Sequence, residues 1–188
     1  VVAELDAALA AVRQAWPTLR WTSPGSWHIT LAFYGDVPAD QDVARLLARW
    51  QRKVAAVPTP VVVLTGAGAF SRPASARVLW TALRGVSDVD AEALRRLGWA
   101  AVAAGRGVVP SSARGAQPGR RFRPHLTLAR TAAPTDLRAL CACLAGFEST
   151  PWRVEQVTLV HSLLGQGPGG SAEHRPLAVQ PTASASTT

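Results

Sequence analysis

The sequence predicts an α+β fold built as two pseudo-symmetric lobes, and three observations predict it. Strand and helix signals alternate along the chain, they come in two similar rounds, and one short polar pattern, His-x-Thr, occurs once in each round. The chain has 188 residues, enough for one ordinary domain with a sizeable core.

The first round opens on a helix. Val1, Val2, Leu5, Leu9 and Val12 share one face, and Pro17 stops the helix after Trp16. Trp27 to Tyr34 is aromatic and β-branched and runs into Gly35-Asp36, which predicts a strand and then a turn. Pro38 stands where a second helix starts; Val43, Leu46, Leu47, Trp50, Val54 and Val57 recur at helical spacing until Pro58 and Pro60. Two strands follow, Val61–Phe70 and Ala76–Leu83, joined by the turn Ser71-Arg72-Pro73. A third helix spans Val89 to Ala104, with Ser87 or Asp88 as its cap. Residues 105–121, rich in Gly, Pro, Ser and Arg, read as a surface loop.

The second round repeats the scheme. Arg123–Arg130 reads as a strand, Leu137–Leu144 as a helix and Trp152–Leu164 as a long strand. A glycine-rich loop, Gly165–Gly170, leads to a last short strand near Arg175–Val179. The domain therefore spans 1–180, and the small polar tail 181–188 is expected to be disordered. The chain opens inside a helix, without a methionine or a signal-peptide pattern, so further N-terminal sequence is expected ahead of it.

Composition narrows the function. Almost half the residues are apolar, which excludes a disordered chain, yet no run approaches about 20 uninterrupted apolar residues, so no membrane span is expected. The net charge of +8 is carried by arginine, with Lys53 the one lysine. An arginine excess suits a phosphate-rich partner, because the guanidinium fork matches phosphate oxygens, but it is also a habit of Ala/Arg/Val-rich sequences. Cys141 and Cys143, two apart in a helix, point different ways, which argues against a disulfide and fits a reducing, cytoplasmic setting.

The chemistry sits in the repeated pattern. Trp27-His28-Ile29-Thr30-Leu31-Ala32 matches Pro124-His125-Leu126-Thr127-Leu128-Ala129 closely. In a strand, residues two apart share a face, so His28, Thr30 and Ala32 point one way and Ile29, Leu31 and Phe33 the other. The same parity groups His125, Thr127 and Ala129 against Leu126 and Leu128. Each strand thus offers an imidazole beside a hydroxyl. Two such pairs in one cleft would supply two proton-exchanging groups and two donors for phosphate oxygens. A single His-x-Thr is commonly just a solvated polar face. Two copies at equivalent points of a repeat, using half of the four histidines, would require that coincidence twice.

These motifs resemble those of the two-histidine (2H) phosphoesterase superfamily, and most closely its RNA 2′,3′-cyclic phosphodiesterase branch, also described as 2′-5′ RNA ligase-like. The resemblance extends through Arg20-Trp21, His28 to Asp36, Gly68-Ala-Phe70, Ala76 to Trp80, Arg123 to Arg130 and the Ser162-Leu-Leu-Gly-Gln-Gly run, roughly Leu5 to Val179. It implies two α+β lobes with antiparallel sheets lining a central cleft and helices outside, each lobe giving one His-x-Thr strand. It implies hydrolysis of a terminal 2′,3′-cyclic phosphate to a 2′-phosphomonoester, with neither metal nor cofactor. By position His28 would be the proton donor and His125 the proton acceptor, while Thr30 and Thr127 would hold non-bridging oxygens. Two departures stand out: the family's short strand ahead of the first helix is missing here, and His174 stands where an aromatic often occurs.

Other residues carry weaker signals. Six arginines (106, 114, 120, 121, 123 and 130) and no acidic residue lie between Gly105 and Arg130, which favours a phosphate-facing role. Arg123 shares parity with His125 and is the candidate substrate-phosphate contact. Arg130 has the opposite parity, so a structural role competes with substrate binding. Arg120 and Arg121 read as solvated loop charges or as a basic loop along an RNA backbone. Phe122, Tyr34 and Phe70 are candidate stacking platforms, with core packing the competing role of each. His161, in an apolar strand, reads as a structural histidine. The Gly165–Gly170 loop lacks the Lys-Ser/Thr of a phosphate-binding P-loop.

The sequence thus predicts a soluble, monomeric hydrolase acting on RNA or oligonucleotides with a cyclic-phosphate end, needing no obligate partner. The rivals are a relative acting on ADP-ribose 1″,2″-cyclic phosphate or 2′-5′ oligonucleotides, a 2′-5′ ligase, and a non-catalytic RNA-end-binding protein. Retention of both histidines and both threonines argues against the last.

Overall fold

The computed structural model describes residues 1–37, 39–109, 122–167 and 172–183. Pro38, most of the predicted 105–121 loop with Arg114, Arg120 and Arg121, the end of the Gly165–Gly170 loop and the last five residues of the tail lie outside the described residues. The elements run α1 (Val2–Ala15), β1 (Arg20–Trp21), α2 (Asp40–Ala55), β2 (Val61–Ala69), β3 (Ala76–Gly85), α3 (Asp88–Gly105), β4 (His125–Thr135), α4 (Arg138–Cys143), β5 (Trp152–Arg153), β6 (Gln156–Leu163) and β7 (Glu173–Pro181). This is the mixed α+β class the patterning predicts.

A five-stranded antiparallel sheet has the order β1-β4-β3-β2-β5, and β6 and β7 form a two-stranded sheet. The run expected as one strand from Trp152 to Leu164 is broken at Val154–Glu155. The physical reason is topological: its first two residues finish one sheet and the remainder pairs in the other.

The chain divides into two compact units, each assembled from three stretches. They are therefore not the first and second halves of the sequence. Unit 1 comprises residues 1–31, 61–91 and 121–152. Its core takes Leu5, Leu9 and Val12 of α1, Leu64 of β2, Leu79 and Leu83 of β3, Leu126 and Leu128 of β4 and Leu140 of α4. On β3 the odd positions Leu79, Thr81 and Leu83 are buried, while Val78, Trp80, Ala82 and Arg84 lie on the opposite, more open face. α4 packs against β2. Glu4 of α1 accepts hydrogen bonds from the backbone N–H and the hydroxyl of Thr150.

Three register shifts interrupt this sheet, one of them between Ala76, opposite Thr135, and Val78, opposite Arg130; the other two are bulges nearer the motifs. One falls in β2 between Thr65 and Gly68, where Gly66 takes φ +57°. The other falls in β4, where Leu128 is the extra residue between Thr127, opposite Trp80, and Ala129, opposite Leu79. Bulges increase the local twist and re-aim the side chains that follow.

Unit 2 comprises residues 32–60, 92–120 and 153–188. Here α2 packs on β7. The Tyr34 hydroxyl donates to the Ala101 carbonyl at 2.6 Å, and the Arg49 guanidinium donates to the Ala103 and Ala104 carbonyls. Thr59 and Thr182 share a 2.6 Å hydroxyl contact. Burial pushes the Tyr34 phenol well above its ordinary range.

Candidate functional site

Both His-x-Thr motifs lie in unit 1, so they are not divided one per compact unit. Only the second is part of a regular strand. Trp27–Tyr34 is not the strand that its composition predicts; it touches β4 through a single antiparallel bridge, Ile29 opposite Leu126. The edge of β4 is met in two separate stretches. Arg20 and Trp21 already occupy it opposite Arg130 and Ala129, and the Thr22 N–H donates to the Leu128 carbonyl. The chain then swings out through a 3₁₀ turn at Pro24–Ser26, where proline offers no N–H to a ladder, and returns only at Ile29.

That one bridge sets the middle residue of one motif opposite the middle residue of the other. Antiparallel register about Ile29 and Leu126 puts His28 across from Thr127, and Thr30 across from His125. Leu126 is buried on the core face of β4, so His125 and Thr127 lie on the opposite face, with Trp80 and Ala82. His28 and Thr30 are exposed, and His125 and Thr127 half-buried.

The two imidazoles are held in the same manner. His28 Nδ1 lies 2.9 Å from the Ser26 carbonyl, and His125 Nδ1 lies 2.8 Å from the Arg123 carbonyl, each two residues upstream. A carbonyl only accepts, so Nδ1 carries the hydrogen in both rings. The reactive nitrogen of each is therefore Nε2, a base when the ring is neutral and an acid when it is charged. The two rings are thus anchored alike.

A ring cluster backs His125. Phe70 meets it edge-on with centroids 4.7 Å apart, Trp80 lies 6.3 Å away, and Phe70 and Trp80 are 5.7 Å apart. Trp80 can lie there because Gly68 is opposite it: a Cβ at Gly68 would come within 3.0 Å of three indole carbons. The Trp80 Nε1–H is buried without a hydrogen-bond partner. Beside the cluster is a pocket of about 250 Å³ lined by Phe70, Trp80, Ala82, Arg84, Arg123 and His125.

The structure sorts the remaining candidates. Arg123 is exposed at the pocket and precedes β4, so its side chain is not placed by strand parity; its carbonyl anchors His125. Arg130 is corrected: the bulge at Leu128 reverses the parity, so Arg130, opposite Val78, shares the face of Trp80, Thr127 and His125. The same bulge turns Ala129, expected beside His125, into the core, where it is fully buried. Phe70 is at the site. Phe122 is half-buried and is not among the described ring contacts of His125. Tyr34 is committed to its bond with Ala101 in unit 2. His161 is exposed on β6 opposite Arg175, rather than enclosed in an apolar strand. Cys141 and Cys143 are free thiols. Trp80, Gly68 and Arg84 were not singled out from sequence. Their even-numbered alternation with Ala82 was a signal for a shared face, but the pairing with His125 is long-range.

Among the described residues, no group of three or more His, Cys, Asp or Glu side chains is placed to hold a metal ion. No described helix is long and apolar enough to cross a membrane.

The family model for LigT-like phosphoesterases matches residues 1–80 and 102–169, most of the chain. The chain belongs to the LigT-like phosphoesterase family. Solved structures agree in fold. TT0787 of Thermus thermophilus is 23% identical with a TM-score of 0.71, covering 95% of this chain and 92% of that one. Escherichia coli LigT, solved in complex with ATP, is 22% identical with a TM-score of 0.60, covering 96% and 92%. The same protein complexed with 3′-AMP gives a TM-score of 0.59 at 22% identity, with 96% and 92% covered. Comparison with curated proteins finds no match. This LigT-like phosphoesterase carries His125 and Thr127 on β4, and Ile29, between His28 and Thr30, bridges to Leu126.

Proposed function

We propose that the protein is a cyclic phosphodiesterase that opens a terminal 2′,3′-cyclic phosphate on RNA or an oligonucleotide, leaving a 2′-phosphomonoester. The observation that carries this reading is the matched anchoring of the two imidazoles, each with Nδ1 at the carbonyl two residues upstream, in motifs joined by the Ile29–Leu126 bridge.

In the reaction, His125 Nε2 takes a proton from the attacking water as its oxygen bonds to phosphorus. The P–O3′ bond breaks, and protonated His28 gives its Nε2 proton to the departing 3′ oxygen. Thr30 and Thr127 donate to the non-bridging oxygens as charge builds there. The geometry is nearly symmetric, so the division between donor and acceptor follows the family resemblance. Protons come and go through imidazoles alone, and no step calls for a metal. Arg123 and Arg130, at the two ends of the quartet, would hold substrate phosphate. Phe122, reached only through the adjoining chain, is the weakest of the proposed contacts. The apolar pocket at Phe70 and Trp80 suits a sugar or base next to the cyclic phosphate. The E. coli relative crystallised with 3′-AMP supports a nucleotide-sized occupant.

The test is hydrolysis of a 2′,3′-cyclic-phosphate-ended RNA in excess EDTA by the intact protein, His28→Ala and His125→Ala. The expected result is EDTA-insensitive turnover that falls by about 10²–10⁴-fold in each variant. Lack of turnover by the intact protein overturns the substrate, and sensitivity to EDTA overturns the metal-free mechanism.

A further inference from the structure

We propose that Arg13 of α1 is a positioning residue for the reaction: by seating the Trp27 ring it holds His28 where its proton can be transferred. The inference rests on the cyclic phosphodiesterase reading for what His28 does, and adds the part that aims it.

The two motifs are supported differently. His125 lies in β4 opposite Ala82 of β3, and the Leu83 N–H donates to the carbonyl of Pro124 just before it. His28 has no such ladder, because its segment meets β4 through a single bridge. The residues ahead of it take over. The Thr22 N–H donates to the Leu128 carbonyl of β4, and the Trp27 indole N–H donates to the Thr22 carbonyl at 3.0 Å. The indole thus closes the loop from Thr22 to Trp27, and Ser26, whose carbonyl lies at His28 Nδ1, is inside that loop. A displaced Trp27 ring therefore carries with it both the His28 backbone and the anchor of its imidazole.

Arg13 meets that ring from α1. Asp6 and Arg13 are seven residues apart, so they share one side of the helix two turns apart, flanking the buried stripe of Leu5, Leu9 and Val12. The two form an ion pair, and the guanidinium carbon lies over the Trp27 ring, 6.0 Å from its centroid. A cation in that position is attracted to the negative face of the indole. The stripe fixes α1 in the core of unit 1, which makes the guanidinium a firm seat.

This arrangement is costly to the fold. Among the described residues, Arg13 Nε and Nη2 are buried without a hydrogen-bond partner. Unpaired buried N–H groups lower stability, and Asp6, 45% exposed, offsets little of that. A leucine on the flank of this helix would fold at lower cost. Departures of this kind from full pairing are expected where function requires them.

The experiment is a double-mutant cycle on 2′,3′-cyclic AMP with the wild type, Arg13→Leu, His28→Ala and the double variant, with Arg13→Lys as the conservative variant. Leucine stops short of the indole and leaves no unpaired N–H. Arg13→Leu should keep or raise Tm, yet lower kcat about 10–100-fold. KM should stay within about twofold, and Arg13→Lys, which keeps a cation for the ring, should recover part of kcat. In the His28→Ala background Arg13→Leu should change the residual rate by less than about twofold, because it acts through a ring already removed. An equal loss in both backgrounds overturns the positioning role and leaves the phosphodiesterase reading standing. So does an unchanged kcat in Arg13→Leu. Absence of turnover by the wild type overturns the phosphodiesterase reading instead. The imidazole NMR signals, assigned with His28→Ala and His125→Ala, then judge the seat by itself. In Arg13→Leu the His28 signals should move while those of His125 stay; His28 signals that stay in place overturn it.

Discussion

Gly68→Ala should uncouple the catalytic face from the fold behind it. The added Cβ would sit within 3.0 Å of Cζ2, Cη2 and Cε2 of Trp80, whereas carbon atoms pack at about 3.5 Å or more. The indole must therefore move by roughly 1 Å. Its near neighbours are Phe70 and His125, with centroids 5.7 and 6.3 Å away, so the displacement passes into the ring that holds the reactive nitrogen. Overpacking of this kind costs about 1–3 kcal/mol, which for a chain of this size lowers Tm by roughly 2–12 °C. A shift of about 1 Å in a reacting group lowers kcat/KM by as much as 100-fold. Gly66→Ala is the matched control. Gly66 sits at φ +57°, so alanine there costs about 1–2 kcal/mol of backbone strain, but its Cβ approaches only the Ala145 carbonyl, at 3.7 Å. The two variants should lose similar stability, and only Gly68→Ala should lose activity on a 2′,3′-cyclic nucleotide at a temperature where both are folded. Equal activity in the two would refute the argument that Trp80 positions His125.

Three further outcomes follow from the same geometry. The activity should show a bell-shaped pH profile, because one imidazole must be neutral and the other charged; a flat rate between about pH 5 and 8 would contradict that division. Hydrogen bonds from Thr150 hold the Glu4 carboxyl below its usual 4.5, so its contribution is complete above that pH and is lost as pH falls through the lower folded value. Glu4→Gln should flatten the dependence of Tm on pH in that acid range alone, and a variant with an unchanged slope would count against the Glu4–Thr150 link. Tyr34→Phe removes the 2.6 Å bond to the Ala101 carbonyl and should cost about 0.5–1.5 kcal/mol in urea denaturation.

Sequence by itself determined a good deal. Apolar spacing located the helices, because a 3.6-residue stripe is a local property, and α1, α2 and α3 fall within a few residues of where Pro17, Pro58 and the Ser87-Asp88 pair place them. The repeated His-x-Thr pattern singled out four polar residues as candidates, since residues on alternate positions of a strand need no tertiary information to share a face with their own partner. Tertiary structure decided what they face. Composition made Trp27–Tyr34 a strand, but the chain leaves the edge of β4 through the Pro24–Ser26 turn and touches it again only at Ile29. Parity set Arg130 on the face opposite His125 and Ala129 beside His125, and one bulged residue, Leu128, reversed both. Parity holds only along an unbroken ladder, and bulges arise from how long-range partners register. For the same reason Gly68, Trp80 and Phe70 became neighbours of His125 only through pairing across three strands, which no local pattern encodes.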